Sequence, residues 1–532
     1  MYIISKAIRY LLIPLLFIPF VANSQMLNED ILKFMRVINL VESNYVDSVD
    51  RHKITEAAVV GLLKELDPHS YYINKEDLER VNETMSGTFE GIGVQFNILD
   101  DTLMVVSPIN GGPSEKVGIL AGDRIIEVDG ESIVGIGITN EKVFKLLRGS
   151  KGSKVELGIL RHGSAVETYT VIRDKIPIHS LDASYLIGND IAYIKLNRFS
   201  ETTMKEYYEA MNVLYEKGAR NLILDLTNNG GGYMNMAIGL ADEFLDKGNL
   251  LVYTEGGKSP KEVFNSTARG GMKKGKVVVM VDEGSASASE IVSGAIQDWD
   301  RGVLVGRRTF GKGLVQKQYP LTDGSAMRLT IARYHTPTGR VIQRPYEKNN
   351  KEYHMDLNNR YESGEMFSMD SITFPDSLKY STLRLGRTVY GGGGVMPDMF
   401  VPVDTSSFTT FYRTIIRRGT LNQFVLTYLD ENRKSIMDKY ADFERFNSNF
   451  QVDDALVADL LAYAAKSEIV PKDGEMDRSE ASIRIQLKAL IVRNLYDQNT
   501  FFQIINKLDP IYNAAVKIIT DDKAYNQILT KQ

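Results

Sequence analysis

The feature that most constrains the fold is a regular alternation of strand and helix patterns that begins after His179. Short apolar runs alternate there with segments in which apolar residues recur at helical spacing. The predicted strands lie at 191–196, 221–226, 276–281, 303–305, 314–319 and 326–335. The predicted helices lie at 202–217, 234–246 and 286–298. Because a sheet that alternates with helices buries its faces under them, the sequence predicts a layered α/β core over residues 175–404.

Other regions flank this core, since the chain has 532 residues and an ordinary domain has about 150. Residues 25–85 have mainly helical periodicity. Residues 86–174 show short strand patterns separated by Gly and Asp turns, with one helix predicted at 140–147. Residues 343–395 are polar, Tyr-rich and poorly periodic, which predicts an insertion or a long surface excursion. Residues 405–532 return to helical periodicity.

The first 24 residues have the three parts of an export signal. Lys6 and Arg9 precede an apolar run from Tyr10 to Ala22, and Ser24 supplies a small residue before a cleavage point. The run is shorter than the roughly 20 apolar residues that a membrane span needs. We therefore expect a signal peptide at 1–24 and export to the periplasm or cell envelope, with peripheral membrane attachment as an alternative. A cytoplasmic protein is expected only if these residues are not a leader.

Composition excludes several classes of chemistry. Lys and Arg number 63 and Asp and Glu number 68, so no basic excess predicts a nucleic-acid partner. The chain has no cysteine, which excludes thiol nucleophiles, cysteine-bound metals and disulfides.

A glycine-rich turn follows a predicted strand at Asp225-Leu-Thr-Asn-Asn-Gly-Gly-Gly232. Glycines allow backbone N–H groups to approach a ligand closely, and a helix that follows favours an anion there. The alternative is a tight turn between a strand and a helix that binds nothing.

A serine-rich segment, Gly284-Ser-Ala-Ser-Ala-Ser-Glu290, lies between another predicted strand and helix. A hydroxyl at a helix N-terminus is a candidate nucleophile, because the helix dipole and free N–H groups favour negative charge developing on a substrate oxygen. The alternative is helix capping, since Ser287 and Glu290 have the spacing of a capping box.

A serine nucleophile needs a base, and the histidines are poor candidates. None of them lies in a comparable glycine-rich motif of the α/β region, and only His335 merits consideration. The sequence therefore disfavours a Ser/His/Asp triad. The six histidines are His52, His69, His162, His179, His335 and His354.

Lys312 is the stronger candidate for the base. It lies in Thr309-Phe-Gly-Lys-Gly-Leu-Val-Gln316, between two glycines and before apolar residues. Burial would lower its pKa from about 10.4, so that the neutral amine could accept a proton from a serine. If the segment is extended, Gln316 shares one face with Lys312 and can orient the amine. The alternative is an exposed lysine in a surface turn.

Taken in order, these segments resemble the carboxy-terminal processing peptidases, also called tail-specific proteases. The resemblance rests first on residues 285–290 followed by 309–313, and it covers about residues 40 to 402. Further segments agree with the family pattern: Leu66-Asp-Pro-His-Ser70, Phe89-Glu-Gly-Ile-Gly93, Pro113-Ser114, Gly118-Ile-Leu-Ala-Gly-Asp123, Leu147-Arg-Gly149 and Gly393-Gly-Val-Met-Pro-Asp398.

The resemblance implies a crotonase/Clp-protease-like serine protease core with an inserted PDZ domain and helical N- and C-terminal regions. It places the nucleophile on Ser287 and the general base on Lys312, with Gln316 positioning that base. The implied oxyanion amides belong to Ala288 and to either Gly231 or Gly232. The turn departs from the family pattern, with Thr227 where arginine is frequent and Gly230 where proline is frequent.

The resemblance also implies that residues 86–174 bind the C-terminus of a peptide. An extended peptide would add to a sheet edge, while amides of the loop Gly91, Ile92, Gly93 and Val94 hold its carboxylate. Arg148 would link peptide occupancy to the active site, although it could also be a surface residue after a helix. Glu290 is interpreted as a structural helix residue.

The sequence therefore predicts an exported serine endopeptidase that acts through an acyl-enzyme without metal or organic cofactor. Its expected partners are proteins or peptides with accessible C-termini. A binding protein on the same scaffold is one alternative, because retinoid-binding relatives in vertebrate eyes share this core. A protease held inactive until a peptide or adaptor binds is another. The helical ends are candidates for forming a homo-oligomer or for capping the site.

Overall fold

A computed structural model of the chain describes residues 29–99, 101–109, 111–161, 165–346 and 351–530. The predicted signal peptide at 1–24 lies outside these residues. The chain divides into two compact units, with the boundary between Glu65 and Leu66. The described part of the first unit consists of α1 (Glu29–Asn44) and α2 (Arg51–Lys64). Asp50 caps α2, because its carboxylate accepts the first free N–H groups of that helix.

The second unit begins with β1 (Tyr71–Ile73) and α3 (Lys75–Ser86) and continues into a small β-domain, residues 88–177. Its strands are β2 (Thr88–Gly91), β3 (Val94–Leu99), β4 (Thr102–Pro108), β5 (Arg124–Val128), β6 (Glu131–Ser132), β7 (Lys154–Leu160), β8 (Glu167–Ile172) and β9 (Asp174–Pro177). Its helices are α4 (Pro113–Lys116) and α5 (Asn140–Leu147). Strands β3-β4-β5-β7-β8 form one sheet in that order, which leaves β3 at an edge, and β2 pairs with β9.

The α/β core follows, with two sheets. Its elements in chain order are β10 (Leu181–Ile187), β11 (Ile191–Leu196), α6 (Thr203–Glu216), β12 (Asn221–Asp225), α7 (Met234–Asp242), β13 (Leu250–Gly256), β14 (Ser259–Asn265), β15 (Val277–Val281), α8 (Ala288–Asp298), β16 (Val303–Gly306), β17 (Leu314–Pro320) and β18 (Ala326–His335). The central sheet has the order β10-β11-β12-β15-β16, and every pair after β10-β11 is parallel. Strands β12 and β15 therefore end at the same edge, where the glycine-rich and serine-rich turns follow them.

The second sheet gathers segments that are far apart in sequence. Strand β18 pairs with β17 along one edge and with β1 and β13 along the other. Because β1 lies only a few residues after the Leu66–Ser70 motif, this pairing brings that motif next to the segment that carries Lys312 and Gln316.

The segment 343–395 is more ordered than its sequence pattern predicts. It contains α9 (Lys351–Glu362), two 3₁₀ turns, β19 (Lys379–Ser381) and β20 (Thr388–Tyr390), and β21 (Met399–Phe400) then joins the central sheet beside β16. Tyr353 and Arg360 of α9 are buried, with 5% and 3% of their surfaces exposed. Buried polar and aromatic residues give no apolar periodicity, which explains why the sequence predicted no helix here.

The C-terminal region is helical, as the periodicity predicted. Its helices are α10 (Thr410–Arg417), α11 (Thr420–Lys439), α12 (Phe443–Asn449), α13 (Asp454–Ala465), α14 (Glu475–Leu495), α15 (Gln498–Ile505), α16 (Pro510–Thr520) and α17 (Asp522–Thr530). Helices α10 to α15 enclose a core of their own. Helices α16 and α17 cover one face of the central sheet, and α6 to α8 cover the opposite face. Among the described helices, none is long and apolar enough to span a bilayer.

Several predicted elements are confirmed with their boundaries, and others were missed. The helix at 140–147 and the strands at 191–196 and 326–335 have the predicted limits. The sequence did not predict β10, β13 and β14. The helix predicted from Ala286 begins two residues later, because residues up to Ser287 form a turn outside it.

Candidate active site

One cavity of about 580 Å³ collects most of the residues predicted for catalysis and for the oxyanion site. Ser287, Lys312, Gln316, Gly231 and Gly232 all line it. These residues come from three turns or strands that follow β12, β15 and β16, so the cavity lies at the carboxyl edge of the central sheet. It therefore has the position at which α/β folds commonly hold their ligands.

Ser287 lies in a strained turn between β15 and α8. Its φ of 55° is a left-handed conformation that costs a residue with a side chain about 1–3 kcal/mol. Asp282 stabilises the turn, because its Oδ1 accepts the N–H of Gly284 at 3.0 Å and that of Asn228 at 2.8 Å. One carboxylate thus holds the serine-rich turn against the glycine-rich turn.

Only the middle of the three serines is available to a substrate. Ser285 Oγ donates to Leu226 O at 2.8 Å, and Ser289 Oγ donates to Asn229 O at 2.8 Å. Both of these serines are fully buried, whereas Ser287 lines the cavity. The geometry therefore favours Ser287 as the nucleophile that the sequence proposed.

The glycine-rich turn passes so close to its neighbours that glycine is required at two positions. At Gly231, a Cβ would lie 2.8 Å from Ser287 Cβ, and φ is 98°. At Gly232, a Cβ would lie 2.1 Å from Phe199 O, and φ is 149°. The turn can therefore bring its backbone amides next to Ser287, which residues with side chains at these two positions would prevent.

The hydrogen bonds distinguish the two glycine amides. The N–H of Gly231 donates to Asn229 Oδ1 at 2.9 Å and is therefore occupied. In the described part of the chain, no acceptor faces the N–H of Gly232 or that of Ala288, the first residue of α8. These two amides are the ones free to bind an oxyanion.

Lys312 is placed as a base requires. Its Nζ donates to Gln316 Oε1 at 2.9 Å, so the two side chains share one face of the extended segment. Burial lowers the pKa of Lys312, the positive charge of Arg328 lowers it further, and Glu290 and Asp67 oppose this. The neutral amine is therefore more accessible near neutral pH than in an exposed lysine.

Glu290 connects the segments that carry Ser287 and Lys312, a contact that the sequence did not reveal. Its Oε2 accepts the backbone N–H of Ser287 at 2.8 Å and that of Lys312 at 2.9 Å. Its Oε1 accepts the N–H of Gly311 at 2.7 Å. The residue is fully buried, and this burial raises its pKa despite the hydrogen bonds. The capping-box spacing was the one signal in the sequence, and it indicated only helix capping.

Tyr334 forms a second connection. Its hydroxyl lies 2.7 Å from Lys312 O and 3.1 Å from Ser287 O, and its ring is buried beside the cavity. The two catalytic candidates are therefore linked through their main chains by a carboxylate on one side and a phenol on the other.

The histidine near the site is not the one that the sequence favoured. His335 stacks on Tyr253 and its Nε2 lies 3.2 Å from Glu255 Oε1, and it does not line the cavity. His69 lies closer, because its backbone O accepts a hydrogen bond from Gln316 Nε2. Asp67 Oδ1 fixes that turn by accepting the N–H of His69 at 2.8 Å. The Leu66–Ser70 motif could have indicated this residue.

The predicted peptide-binding residues lie in the small β-domain, away from the cavity. Gly91 ends β2, Ile92 is buried in the domain core, Gly93 has φ 73°, and Val94 begins β3. Within the described residues, no strand pairs with the outer edge of β3. That edge can therefore accept an added strand.

Arg148 connects the small β-domain with α3. Its Nη1 donates to Glu83 Oε2 at 2.6 Å, and its guanidinium lies over the rings of Phe89 and Phe144 at 5.0 and 4.9 Å. The neighbouring residues Val81, Asn82 and Met85 of α3 line the cavity that contains Ser287 and Lys312. One helix therefore contacts both sites.

Comparison with known families agrees with this arrangement. Residues 190–349 match peptidase family S41, and residues 91–172 match the PDZ domain. Residues 20–77 match the N-terminal domain of the activating protease CtpB. Residues 411–497 match a family of unknown function, DUF8443.

Two similar proteins each match a little less than three fifths of the chain. The carboxy-terminal processing protease CtpA of Bacillus subtilis (strain 168) is 38% identical over 313 residues, which is 59% of this chain and 66% of that protein. A probable CtpA-like serine protease of Staphylococcus aureus (strain N315) is 36% identical over 314 residues, 58% of this chain and 62% of that protein. The chain thus covers less than two thirds of the length of these relatives.

Among solved structures, the photosystem II D1 C-terminal processing protease is 29% identical, with 59% of this chain and 90% of that chain covered and a TM-score of 0.33.

Proposed function

The chain belongs to the carboxy-terminal processing peptidases, and on this premise we propose that it is a serine endopeptidase with a Ser287–Lys312 dyad. The observation that carries the proposal is the single cavity in which Ser287, Lys312 and Gln316 lie beside two free backbone amides. No acidic or imidazole side chain among the described lining residues of that cavity offers a competing base.

In the proposed reaction, Ser287 Oγ attacks the carbonyl carbon of the peptide bond and Lys312 Nζ takes the hydroxyl proton. The N–H groups of Ala288 and Gly232 hold the oxyanion. The ammonium then gives its proton to the departing amine, which leaves an acyl-enzyme on Ser287. A water molecule, deprotonated by the neutral amine, hydrolyses that ester. The lowered pKa of Lys312 supports this role, since only the neutral amine can act.

We propose that substrates are selected by their C-termini. The edge of β3 is unpaired, and Phe96 of that strand contacts Phe144 of α5, with ring centres 5.8 Å apart. A peptide added to that edge would place its carboxylate near the amides of Ile92 and Gly93. We expect apolar C-terminal residues to be preferred, because the partly exposed ring of Phe144 lies beside this strand.

A peptide-activated form of the enzyme is the second candidate, and the Arg148–Glu83 pair favours it. The ion pair holds α3, and Val81, Asn82 and Met85 on that helix face the catalytic cavity. A peptide carboxylate that competed with Glu83 for Arg148 would release α3 from this contact. Peptide binding would then shift the population of open and closed cavities.

We further propose that the chain is exported and cleaved before Gln25, from the leader pattern of residues 1–24. Expression of the full chain in a bacterial host, followed by intact mass measurement of the envelope fraction, tests this. A measured mass equal to that of the chain from Gln25 onward supports export and cleavage. A full-length product in the cytoplasm contradicts them.

The dyad is tested by cleavage of an unstructured protein that has a free apolar C-terminus. Wild type, Ser287→Ala and Lys312→Ala are compared from about pH 6 to about pH 10, a range that brackets a lysine with a lowered pKa. Loss of cleavage in both variants supports the dyad, and cleavage that survives Ser287→Ala contradicts the nucleophile. If only added C-terminal peptide elicits cleavage, the peptide-activated form is supported.

A further inference from the structure

Helix α9 is fastened to the segment that carries the base. Arg360 Nη1 donates to Arg308 O at 3.1 Å and to Thr309 O at 3.0 Å. Arg344 lies between two rings, 4.1 Å from the centre of Phe310 and 3.9 Å from that of Tyr353. The region that the sequence presented as a surface excursion therefore packs directly on residues 308–310.

Tyr353 reaches from α9 to His69. Its hydroxyl lies 2.6 Å from His69 Nε2, and Gln343 Nε2 donates to the same hydroxyl at 3.5 Å. The phenolic proton is thus directed at the histidine. Burial and the charge of Lys312 lower the pKa of His69 to about 4, so its ring is neutral near pH 7 and Nε2 can accept that proton.

His69 in turn determines which way the Gln316 amide faces. Gln316 Nε2 donates to His69 O, so Gln316 Oε1 is directed at Lys312 Nζ, 2.9 Å away. This orientation matters chemically, because an oxygen accepts one N–H of the neutral amine and leaves its lone pair free for Ser287. The reversed amide would donate to that lone pair and block it.

We propose that Tyr353 and His69 are positioning residues for the base: the Tyr353 hydroxyl holds His69, and the His69 carbonyl holds the Gln316 amide in the orientation that leaves the Lys312 lone pair free. The inference rests on the proposed dyad and adds two residues to it. It also gives α9 a function in the reaction, as a support for the base from outside the central sheet.

The test compares Tyr353→Phe with Tyr361→Phe, a matched variant on the same helix whose side chain is exposed. Peptide cleavage gives kcat and KM, and a fluorophosphonate probe measures the reactivity of Ser287 without peptide. We expect Tyr353→Phe to lower kcat and the probe rate together by about tenfold, because a small misplacement of a catalytic group slows the chemical step while substrate binding is unaffected. KM should change by less than about twofold, and Tyr361→Phe should match wild type.

A double-mutant cycle separates positioning from general destabilisation. If Tyr353 acts through His69, His69→Ala combined with Tyr353→Phe should be no slower than His69→Ala alone. A Tyr353→Phe variant with wild-type kcat, a loss confined to KM, or losses that multiply in the double variant would overturn the inference while the dyad stands. Probe reaction that persists in Ser287→Ala would overturn the dyad and the inference with it.

Discussion

The proposed nucleophile, Ser287, and the proposed base, Lys312, are held in different ways. The Ser287 turn is fixed at the edge of the central sheet: Ser285 and Ser289 donate to main-chain oxygens 59 and 60 positions away, in the turn that follows the adjacent parallel strand β12. The Lys312 segment is fixed by hydrogen bonds with remote parts of the chain. Gln316 donates to the backbone oxygen of His69, which lies 247 positions earlier in the chain. Arg360 donates to the backbone oxygen of Thr309, which lies 51 positions before it.

This difference indicates that activity can be regulated through the position of Lys312 more readily than through the position of Ser287. A turn that is built into a buried parallel sheet forms whenever the sheet forms. A lysine whose orientation depends on a distant turn and on α9 can be misplaced while the sheet stays intact. The two sides meet at Glu290, whose single oxygen Oε2 accepts the N–H of both Ser287 and Lys312.

The largest expected effect is on the nucleophile side. Ser287→Ala should lower kcat by about 10⁶-fold, as removal of a serine nucleophile does. Ser289→Ala is the matched control, because it removes a buried hydroxyl two residues away that donates only to the main chain. That variant should keep activity within about tenfold and lose about 1 kcal/mol of stability. Equal inactivation of both variants in the cleavage assay would contradict the distinction between these serines.

The second-largest expected effect concerns Glu290, which links the Ser287 turn with the Lys312 segment. Glu290→Gln replaces one acceptor oxygen by an NH₂ group that faces backbone N–H donors. We expect unfolding to become easier by about 3 kcal/mol, since buried donors lose their acceptor. We also expect kcat to fall by about 100-fold, because both catalytic segments shift. Chemical denaturation and peptide cleavage measure the two effects.

Glu283→Gln serves as the control for that variant. Glu283 forms a partly exposed ion pair with Arg307 at 2.7 Å on the same turn and makes no contact with the base segment. Its loss should cost no more than about 1 kcal/mol. If Glu290→Gln and Glu283→Gln lose the same stability and the same kcat, the hydrogen bonds that Glu290 accepts from Ser287 and Lys312 do not contribute to catalysis.

The same contrast determines what the sequence could predict. The turn that carries Ser287 is local, so the strand and the glycines could be identified from neighbouring residues, while the choice of the middle serine came from the resemblance to the family. Lys312 and Gln316 could be paired because they are four residues apart in an extended segment. Tyr353 could not be predicted as a partner, because it approaches through α9, which leaves no periodic signal. The Leu66–Ser70 motif marked His69, but nothing in that motif indicated that His69 contacts Gln316. The choice of Gly232 over Gly231 depends on the Asn229 side chain, which no spacing rule reveals.

A smaller effect concerns the pH dependence of the base. The pKa of Lys312 is lowered by burial and by the charge of Arg328, while Glu290 and Asp67 raise it, and the His69 ring nearby is neutral near pH 7. Only the neutral amine acts, so kcat/KM should rise with pH through the pKa of Lys312. Arg328→Met removes a like charge, and the pKa should therefore increase.

The acidic limb of kcat/KM should accordingly move to higher pH, and the rate at pH 7 should fall by roughly threefold. Arg333→Met, an exposed position on the same strand that does not line the cavity, is the control and should leave the limb unchanged. A limb that stays in place in Arg328→Met, or that moves to lower pH, would contradict a lysine base at this position.

The smallest expected effect tests whether control reaches the base side through α3. Glu83→Gln weakens the ion pair with Arg148, whose side chains are both about one third exposed, so stability should change by less than about 1 kcal/mol. Release of α3 should raise basal cleavage by about twofold and reduce the further activation by a non-cleavable C-terminal peptide.

Lys145→Gln is the matched control for this link, because it breaks the exposed pair with Glu141 on α5 without touching α3. Cleavage rates are measured with and without the peptide for wild type and both variants. They show whether the Arg148–Glu83 pair transmits the effect of peptide binding. If the peptide activates Glu83→Gln as strongly as wild type, peptide binding affects the cavity by a route other than the Arg148–Glu83 pair. The proposed contrast between a fixed nucleophile and an adjustable base would then depend on His69 and α9 alone.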